Sequence, residues 1–298
     1  MPETTAQQIT LNNGTEMPAL GLGVFQSPPE ETLTAVETAL ANGYVLIDTA
    51  AAYGNEREVG QAIRRSGVDR AGVFVTTKLW ISDYGDSALR GIDGCLQRLG
   101  LDYVDLFLLH HPVPNDFEGT IAAYRAAEQM MAEGRAHAIG VCNFNIDHLE
   151  NLIGKTTAVP AVNQVELHPF FTQQALRDFH AAHGIVTQAW SPLGGVNVYR
   201  PAEPDVTKNP LEHPTIVGLA QRYRKTPAQI ILRWHIEHGT SAIPKSVRAH
   251  RIKQNIDIFD FALPPADVAA IDGLDTGIRG GPDPGLIDRE HYPFEVDN

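Results

Sequence analysis

The sequence predicts an α/β fold, a (β/α)8 TIM barrel with an N-terminal β-hairpin and long loops at its C-terminal mouth. Three observations carry that expectation. Continuously apolar runs alternate with helical patterns eight times, as strands buried on both faces of a parallel sheet require. The 298 residues suit one barrel domain spanning 1–298, although a quota of about 150 residues per domain would also divide them in two. Polar residues close most of the apolar runs, and a barrel builds its site at those strand ends.

The elements come in order along the chain. Residues 8–17 read as a small hairpin, about 7–18 with its flanks, turned at Asn13-Gly14 by positive φ angles. Asn13-Gly14-Thr15 also fits a glycosylation sequon, but the turn is the simpler reading. The apolar runs are 20–25, 45–48, 73–79, 104–110, 138–142, 161–167, 185–190 and 241–244. Helical spacing of apolar residues marks 29–41, 86–99, 120–133, 147–153 and 172–183. The cleanest helix start is Thr226-Pro227-Ala228-Gln229, where Thr caps, Pro takes the first position and Gln returns the capping bond. That helix runs to His238 and stops at Gly239. Residues 194–211 and 277–298 read as loops that shape the mouth. An open Rossmann sheet is the rival. Its Gly-x-Gly-x-x-Gly fingerprint fails here, because Gly21-Leu22-Gly23 is followed by Val24, Phe25 and Gln26.

Composition excludes several functions. Lys and Arg number 23 against 36 Asp and Glu, a net charge of −13. A general nucleic-acid binder needs the opposite field, although a local basic pocket for one small anion is still allowed. Cys95 and Cys142 are the only cysteines, too few for a disulfide framework or a four-cysteine zinc site. The N-terminus has no apolar signal core, and no apolar run reaches membrane-spanning length. A cytoplasmic protein without membrane or nucleic-acid partners is expected, and a monomer. No metal site is expected either. Strand alternation would send adjacent His110 and His111 to opposite faces, and His180, His183, His235 and His238 fall on helices outside the barrel.

The strand ends hold Asp48, Lys78, His110-His111, Cys142-Asn143, Asn163-Gln164 with Glu166, Ser191 and Lys245-Ser246. Singly, each has an ordinary reading as a cap, a solvated charge or a hydrogen-bonded core residue. Together they would share one rim. Tyr53, just past Asp48, adds a phenol whose ordinary pKa near 10 makes it a poor acid–base group. An ammonium beside it favours the phenolate. Lys78 would supply that ammonium, Asp48 would hold it, and His110 would orient a carbonyl oxygen.

These words resemble the aldo-keto reductase superfamily from about Gly21 to Asn255, with a weaker match in the tail. Leu46-Ile47-Asp48-Thr49-Ala50 with Tyr53-Gly54-Asn55-Glu56, and Thr76-Thr77-Lys78-Leu79-Trp80, are similar to the family's Asp–Tyr and Lys motifs. Asp105 to Pro112 resembles the motif that usually ends His-Trp-Pro, with His111 in the place of Trp. Ile139-Gly140-Val141-Cys142-Asn143-Phe144 has Cys142 where the family has Ser, and Asn163 to Pro169 is near-verbatim. The wording is nearest the prokaryotic branch typified by 2,5-diketo-D-gluconate reductases.

The resemblance implies a catalytic set of Tyr53, Asp48, Lys78 and His110. It implies a nicotinamide dinucleotide lying extended across the mouth beside Gly23, Val24 and Asp48. Trp190 would stack on the nicotinamide. Asn143 and Gln164 would bind the carboxamide, with Cys142 a weaker partner than Ser. Ser191 and Leu193 would follow the pyrophosphate. Lys245, Ser246, Val247 and Arg251 would form the 2′-phosphate site, with Gln254 and Asn255 near the adenine, so NADPH is expected over NADH. Val24, Phe25, Tyr53, Trp80, His110 and His111 would line the pocket for a small carbonyl substrate, reduced reversibly to an alcohol. Two other readings compete. One is a Schiff-base lyase using Lys78 or Lys245. The other is a catalytically silent barrel, and its expected mark, loss of the tetrad, is missing.

Overall fold

The computed structural model describes residues 7–194 and 209–296. Strands β1 (Gln8–Thr10) and β2 (Glu16–Pro18) form an antiparallel hairpin. Strands β3 (Leu22–Gly23), β4 (Leu46–Asp48), β5 (Phe74–Leu79), β6 (Val104–Leu109), β7 (Ala136–Cys142), β8 (Val162–Glu166), β9 (Val186–Trp190) and β10 (Ser241–Ala242) form one parallel sheet in chain order. The sheet closes on itself. Leu20 bridges Ala242 and Gly23 bridges Lys245 in parallel, and the Gly21 amide donates to the Ala242 carbonyl at 2.9 Å. Glycine is required at that seam, since a Cβ on Gly21 would lie 2.0 Å from Leu46 Cδ2.

A period of two sorts the strand side chains. Leu46, Phe74, Leu106, Leu108, Ala138, Val162 and Ile243 fill the barrel interior. Leu11 and Met17 of the hairpin plug its lower end. Two residues further along four of these strands stand Asp48, His110, Gln164 and, on β5 by way of Thr76, Lys78. The register that buries the apolar floor therefore aims these polar groups at the mouth. The other strand face packs on the helices through a second cluster that includes Ile47, Val75, Phe107, Ile139, Val165 and Trp234.

The helices are α1 (Pro29–Ala41), α2 (Glu56–Ser66), α3 (Ala88–Leu99), α4 (Phe117–Ala132), α5 (Ile146–Ile153), α6 (Gln174–Ala182), α7 (Pro214–Tyr223), α8 (Pro227–Glu237), α9 (Ala249–Ile256) and α10 (Pro265–Asp272). The capping box at α8 forms as its sequence implies, with the Gln229 amide donating to Thr226 Oγ1 and the Thr226 amide to Gln229 Oε1. Helices α2, α7, α9 and α10 fall outside the helical stretches read from the sequence. In α2 only a narrow stripe of Val59, Gly60, Ala62 and Ile63, with Glu56, is buried, and charged residues dominate the rest. Thr172 lies before α6 and donates to Asp275 at 2.7 Å instead of entering the helix.

Three other boundaries differ. The hairpin loop is five residues long, with the Leu11 amide donating to the Thr15 carbonyl, and only Gly14 takes a positive φ of 86°. Asn13 instead accepts from the Thr15 amide, so its side chain stabilises the turn. The first and last barrel strands shrink to two residues each, partly because Pro244 has no N–H to give. Of the loop expected over 194–211, residues 195–208 lie outside the described set, and its end forms a short turn at Pro210–Glu212. The tail from Gly277 to 296 is irregular apart from a turn at Pro284–Leu286. Among the described residues no helix is long and apolar enough to cross a membrane.

Neutral histidines, two of them buried and one half-buried, tie this fold to pH. Burial pushes His111 down to about 3, His180 to about 4 and His235 to about 3. The native state thus binds fewer protons than the unfolded chain once pH drops below the ordinary histidine range. Their contribution is complete above about pH 6.5 and is lost as pH falls toward 4 and 3. Thermal midpoints measured across that window are expected to fall steeply with acidification, and His235→Phe is expected to flatten the fall.

Candidate active site

Asp48 ends β4, and Tyr53 follows on a single turn of 3-10 helix, Ala51–Tyr53, closed by Gly54 at φ 66°. Asn55 fixes this segment from below. Its amide donates to the Val24 carbonyl at 2.9 Å and its Oδ1 accepts from Thr49 at 2.7 Å. Glu56 adds a buried anchor, accepting from Thr77 Oγ1 and from Arg98 Nε at 2.6 Å. Thr77 precedes Lys78, so the Tyr53 segment and the Lys78 strand are tied together behind the site.

Lys78 is fully buried. Its Nζ donates to Asp48 Oδ1 at 2.6 Å, to the Thr49 carbonyl at 2.9 Å and to Tyr53 Oη at 3.3 Å. All three ammonium hydrogens are used, and one of them goes to the phenol. Burial raises the Asp48 carboxyl above its ordinary range, against the opposing charge and hydrogen bond of Lys78 and the hydrogen bond of Gln164. Gln164 donates to Asp48 Oδ2 at 2.7 Å and to Gln188 Oε1 at 2.7 Å, so both of its N–H groups are committed.

His110 and His111 depart from simple alternation. β6 ends at Leu109, and the Tyr84 hydroxyl donates to the His111 carbonyl at 2.8 Å and contacts its amide at 3.3 Å. That turns the second residue out of the strand pattern. The two rings stack in parallel at 5.0 Å with 2° between their planes, so both face the same mouth. The expectation of opposite faces is corrected here. His110 lies 5.5 Å from the Tyr53 ring and 5.2 Å from Trp80. Burial, then His111 and then Lys78 hold it well below the ordinary histidine range, so it is neutral. Its buried Nδ1 has no hydrogen-bond partner among the described residues. A lone pair costs less there than an N–H, which assigns the single proton to Nε2.

Asn143, at φ 66°, joins these groups to the opposite wall. Its amide donates to the His110 carbonyl and to His111 Nδ1, each at 3.1 Å. Its Oδ1 accepts from Trp190 Nε1 at 2.8 Å. His111 therefore accepts at Nδ1 and carries its proton on Nε2. Cys142 contacts Gln164 Oε1 at 3.7 Å, and burial pushes its thiol up, so it is a neutral, weak partner. Ser191 takes a positive φ of 45°, and its carbonyl accepts from the Gly194 amide, giving a tight turn that carries Leu193 onto the core. Val24 is buried beside Asp48, and Phe25 is exposed with its ring 5.0 Å from Tyr53.

A second cluster stands where β10 leads into α9. Lys245, Arg248 and Arg251 are exposed and make no ion pair with the described residues. Ser246 Oγ accepts from the Arg248 amide. Val247 is half-buried, Gln254 is exposed and Asn255 is buried on α9. Gly23 lies against this segment, where a Cβ would come within 2.8 Å of the Ile243 carbonyl. Cations without an ion pair among the described residues, beside a helix N-terminus on a chain of net charge −13, are groups that could hold a phosphate.

Comparison with known proteins decides the lineage. A model of the Aldo/keto reductase family matches residues 14–276. The chain belongs to the aldo/keto reductase family. It is 54% identical to Morphine 6-dehydrogenase of Pseudomonas putida, covering 95% of this chain and 96% of that protein. It is 44% identical to Methylglyoxal reductase DkgA of Escherichia coli, covering 93% and 96%. An aldo/keto reductase structure from Brucella melitensis superimposes with a TM-score of 0.84 at 47% identity, covering 91% and 100%. A mutant of Gox0644, solved in complex with NADPH, gives 0.86 at 38% identity, covering 95% and 99%. This aldo/keto reductase is therefore a carbonyl-acting oxidoreductase on a (β/α)8 barrel.

The sequence reading missed the tail residues at this reductase's mouth. Phe294 stacks on Trp80 at 4.5 Å, and its carbonyl accepts from Trp80 Nε1 at 3.1 Å. Tyr292 lies 6.3 Å from both Trp80 and His111. A cluster of aromatic residues, Tyr292 and Phe294, in an irregular tail was the available signal. The residues present fit a phosphorylated dinucleotide: Lys245, Arg248 and Arg251, without ion pairs among the described residues, suit a phosphate, and Trp190 presents a half-buried ring at the end of β9.

Proposed function

We propose that this aldo/keto reductase reduces aldehydes or ketones reversibly to alcohols with NADPH, using Tyr53 as the general acid and base. One observation carries the reading: a fully buried Lys78 ammonium held between Asp48 and the Tyr53 hydroxyl. The bound dinucleotide supplies the hydride. Tyr53 gives its hydroxyl proton to the carbonyl oxygen. Lys78, 3.3 Å away, stabilises the phenolate left behind, and Asp48 keeps the Lys78 charge compensated. Neutral His110 donates from Nε2 to the same oxygen and orients it. Trp190, fixed at Nε1 by Asn143, offers one ring face to the nicotinamide. Gln164 Oε1 and the second Asn143 Oδ1 lone pair would accept from its carboxamide N–H groups.

The names of the relatives support a carbonyl–alcohol interconversion, and the NADPH complex of a neighbour supports the cofactor. Preference for NADPH over NADH rests on Lys245, Ser246 and Arg251. The Schiff-base reading has less support, because the Lys78 Nζ is taken up by Asp48, the Thr49 carbonyl and Tyr53, which leaves it no free direction from which to attack a carbonyl carbon. Two buried, unpaired cysteines accord with a reducing, cytoplasmic setting.

Titration of tryptophan fluorescence with NADPH and NADH tests the cofactor, and loss of nicotinamide absorbance with an aldehyde tests the reaction. Lys245→Ala with Arg251→Ala is expected to weaken NADPH binding by roughly 10- to 100-fold, the worth of one or two charge-assisted hydrogen bonds, with NADH nearly unaffected. Equal loss for both cofactors would remove the 2′-phosphate assignment. Absence of aldehyde-dependent oxidation of either cofactor would defeat the reductase reading.

A further inference from the structure

Glu166 ends β8, is fully buried and has no part in the proton relay described above. Its two oxygens accept from consecutive backbone amides of the C-terminal tail, Gly280 to Oε1 at 2.7 Å and Gly281 to Oε2 at 2.8 Å. His168 Nε2 lies 3.1 Å from Oε1. Two successive N–H groups on one carboxylate form a small anion nest, and ionised acceptors make such bonds strong. Burial works to raise this carboxyl, but His168 and the two amides overcome it and hold it below the ordinary range, as an anion.

Gly281 is wedged at the same point. A Cβ there would come within 2.5 Å of Trp190 Cη2 and 3.0 Å of Glu166 Oε2. The tail thus crosses the edge of the Trp190 ring with no room for a side chain. From that point it runs past Ile287, which is buried, to Arg289, which pairs with Asp116 at 3.2 Å. It ends with Tyr292 and Phe294 against Trp80. One carboxylate at the β8 end therefore fixes where a strap begins its path to the β5 end.

We propose that Glu166 is a positioning residue of the reductase: it clamps the tail at Gly280 and Gly281, holds the Gly281 backbone against the edge of the Trp190 ring, and so sets the substrate wall that Tyr292 and Phe294 complete. The proposal rests on the reductase reading. It differs from a plain structural role because the effect of Glu166 must pass through the tail.

The test compares the wild type, Glu166→Gln, a chain lacking residues 277–298, and the two changes combined. Glutamine keeps the shape but turns an N–H toward one of the two amides. Trypsin cleavage after Arg279, beside the clamp, reads tail release without any need for activity. Glu166→Gln is expected to speed that cleavage about tenfold, the loss of one charged hydrogen bond's worth of local stability. It is expected to raise KM for an aromatic aldehyde about tenfold with a smaller change in kcat, the pattern of a lost binding wall. In the tail-less background the same substitution should change KM less than twofold, since the wall is already gone. Should the tail-less chain fail to fold, Gly281→Ala is the second variant, expected to match the faster cleavage by forcing a Cβ against Trp190. Wild-type cleavage and KM in Glu166→Gln, or an undiminished effect without the tail, would overturn the clamp while leaving the reductase standing. A wild-type chain that oxidises neither cofactor would defeat the reductase reading, and the cleavage rates would still decide whether Glu166 holds the tail.

Discussion

Tyr53→Phe is expected to bind NADPH as the wild type does and to lose roughly 10²- to 10⁴-fold in kcat, the usual share of a positioned general acid. The substitution removes one oxygen. Phenylalanine keeps the ring against Phe25 and His110, so the fold and the mouth should persist. The Lys78 ammonium keeps Asp48 and the Thr49 carbonyl and loses only its third acceptor. The loss should therefore fall on kcat and kcat/KM together, marking an interaction made only in the transition state. Steady-state rates paired with a fluorescence titration would show it. A variant within a few-fold of the wild type would move the proton donor elsewhere, His110 being the next candidate.

Lys78→Met is expected to cost about 3–5 kcal/mol of stability, because it leaves the Asp48 charge buried without its partner. For a chain of this size that is a drop of roughly 5–8 °C in thermal midpoint. Its pH dependence should run opposite to that of the histidines. Without Lys78, only the Gln164 hydrogen bond still opposes burial, and the Asp48 pKa in the folded state rises further. The folded variant then binds more protons than the unfolded chain, so its deficit shrinks as pH falls and grows as pH rises. Adding Asp48→Asn removes the stranded charge and should restore much of the midpoint while leaving activity absent. Thermal scans at acidic and alkaline pH would measure both effects. A deficit independent of pH would mean that Asp48 and Lys78 are not coupled as described.

Much of this site was legible because a strand's period of two links core to mouth. Once Leu46 and Leu108 are interior, Asp48 and His110 must point the same way two residues on. The same period carries Phe74 to Lys78 on β5, whereas Tyr53 stands on the turn after β4 and was named by its motif and not by alternation. His111 was misread because alternation stops where the ladder stops, and the ladder stops where Tyr84 captures the His111 backbone, 27 residues away in sequence. The tail was illegible for a related reason. Trp80 and Phe294 are 214 residues apart, and Glu166 and Gly280 are 114 apart, with no local pattern between them. Helix α2 escaped notice because its charged outer face masks a stripe that includes Val59, Ala62 and Ile63. The hairpin turn differed because the Asn13 side chain, and not its φ, holds the loop.

The central claim is that hydride reaches a carbonyl carbon and that Tyr53 supplies the proton. A single turnover with NADPH carrying deuterium at the transferring position, and an aromatic aldehyde, tests it most directly by mass spectrometry of the product. One deuterium in the product alcohol from the wild type, with almost none formed in the same time by Tyr53→Phe, is the result predicted. Alcohol without deuterium, or no alcohol from a protein that binds NADPH, would contradict it.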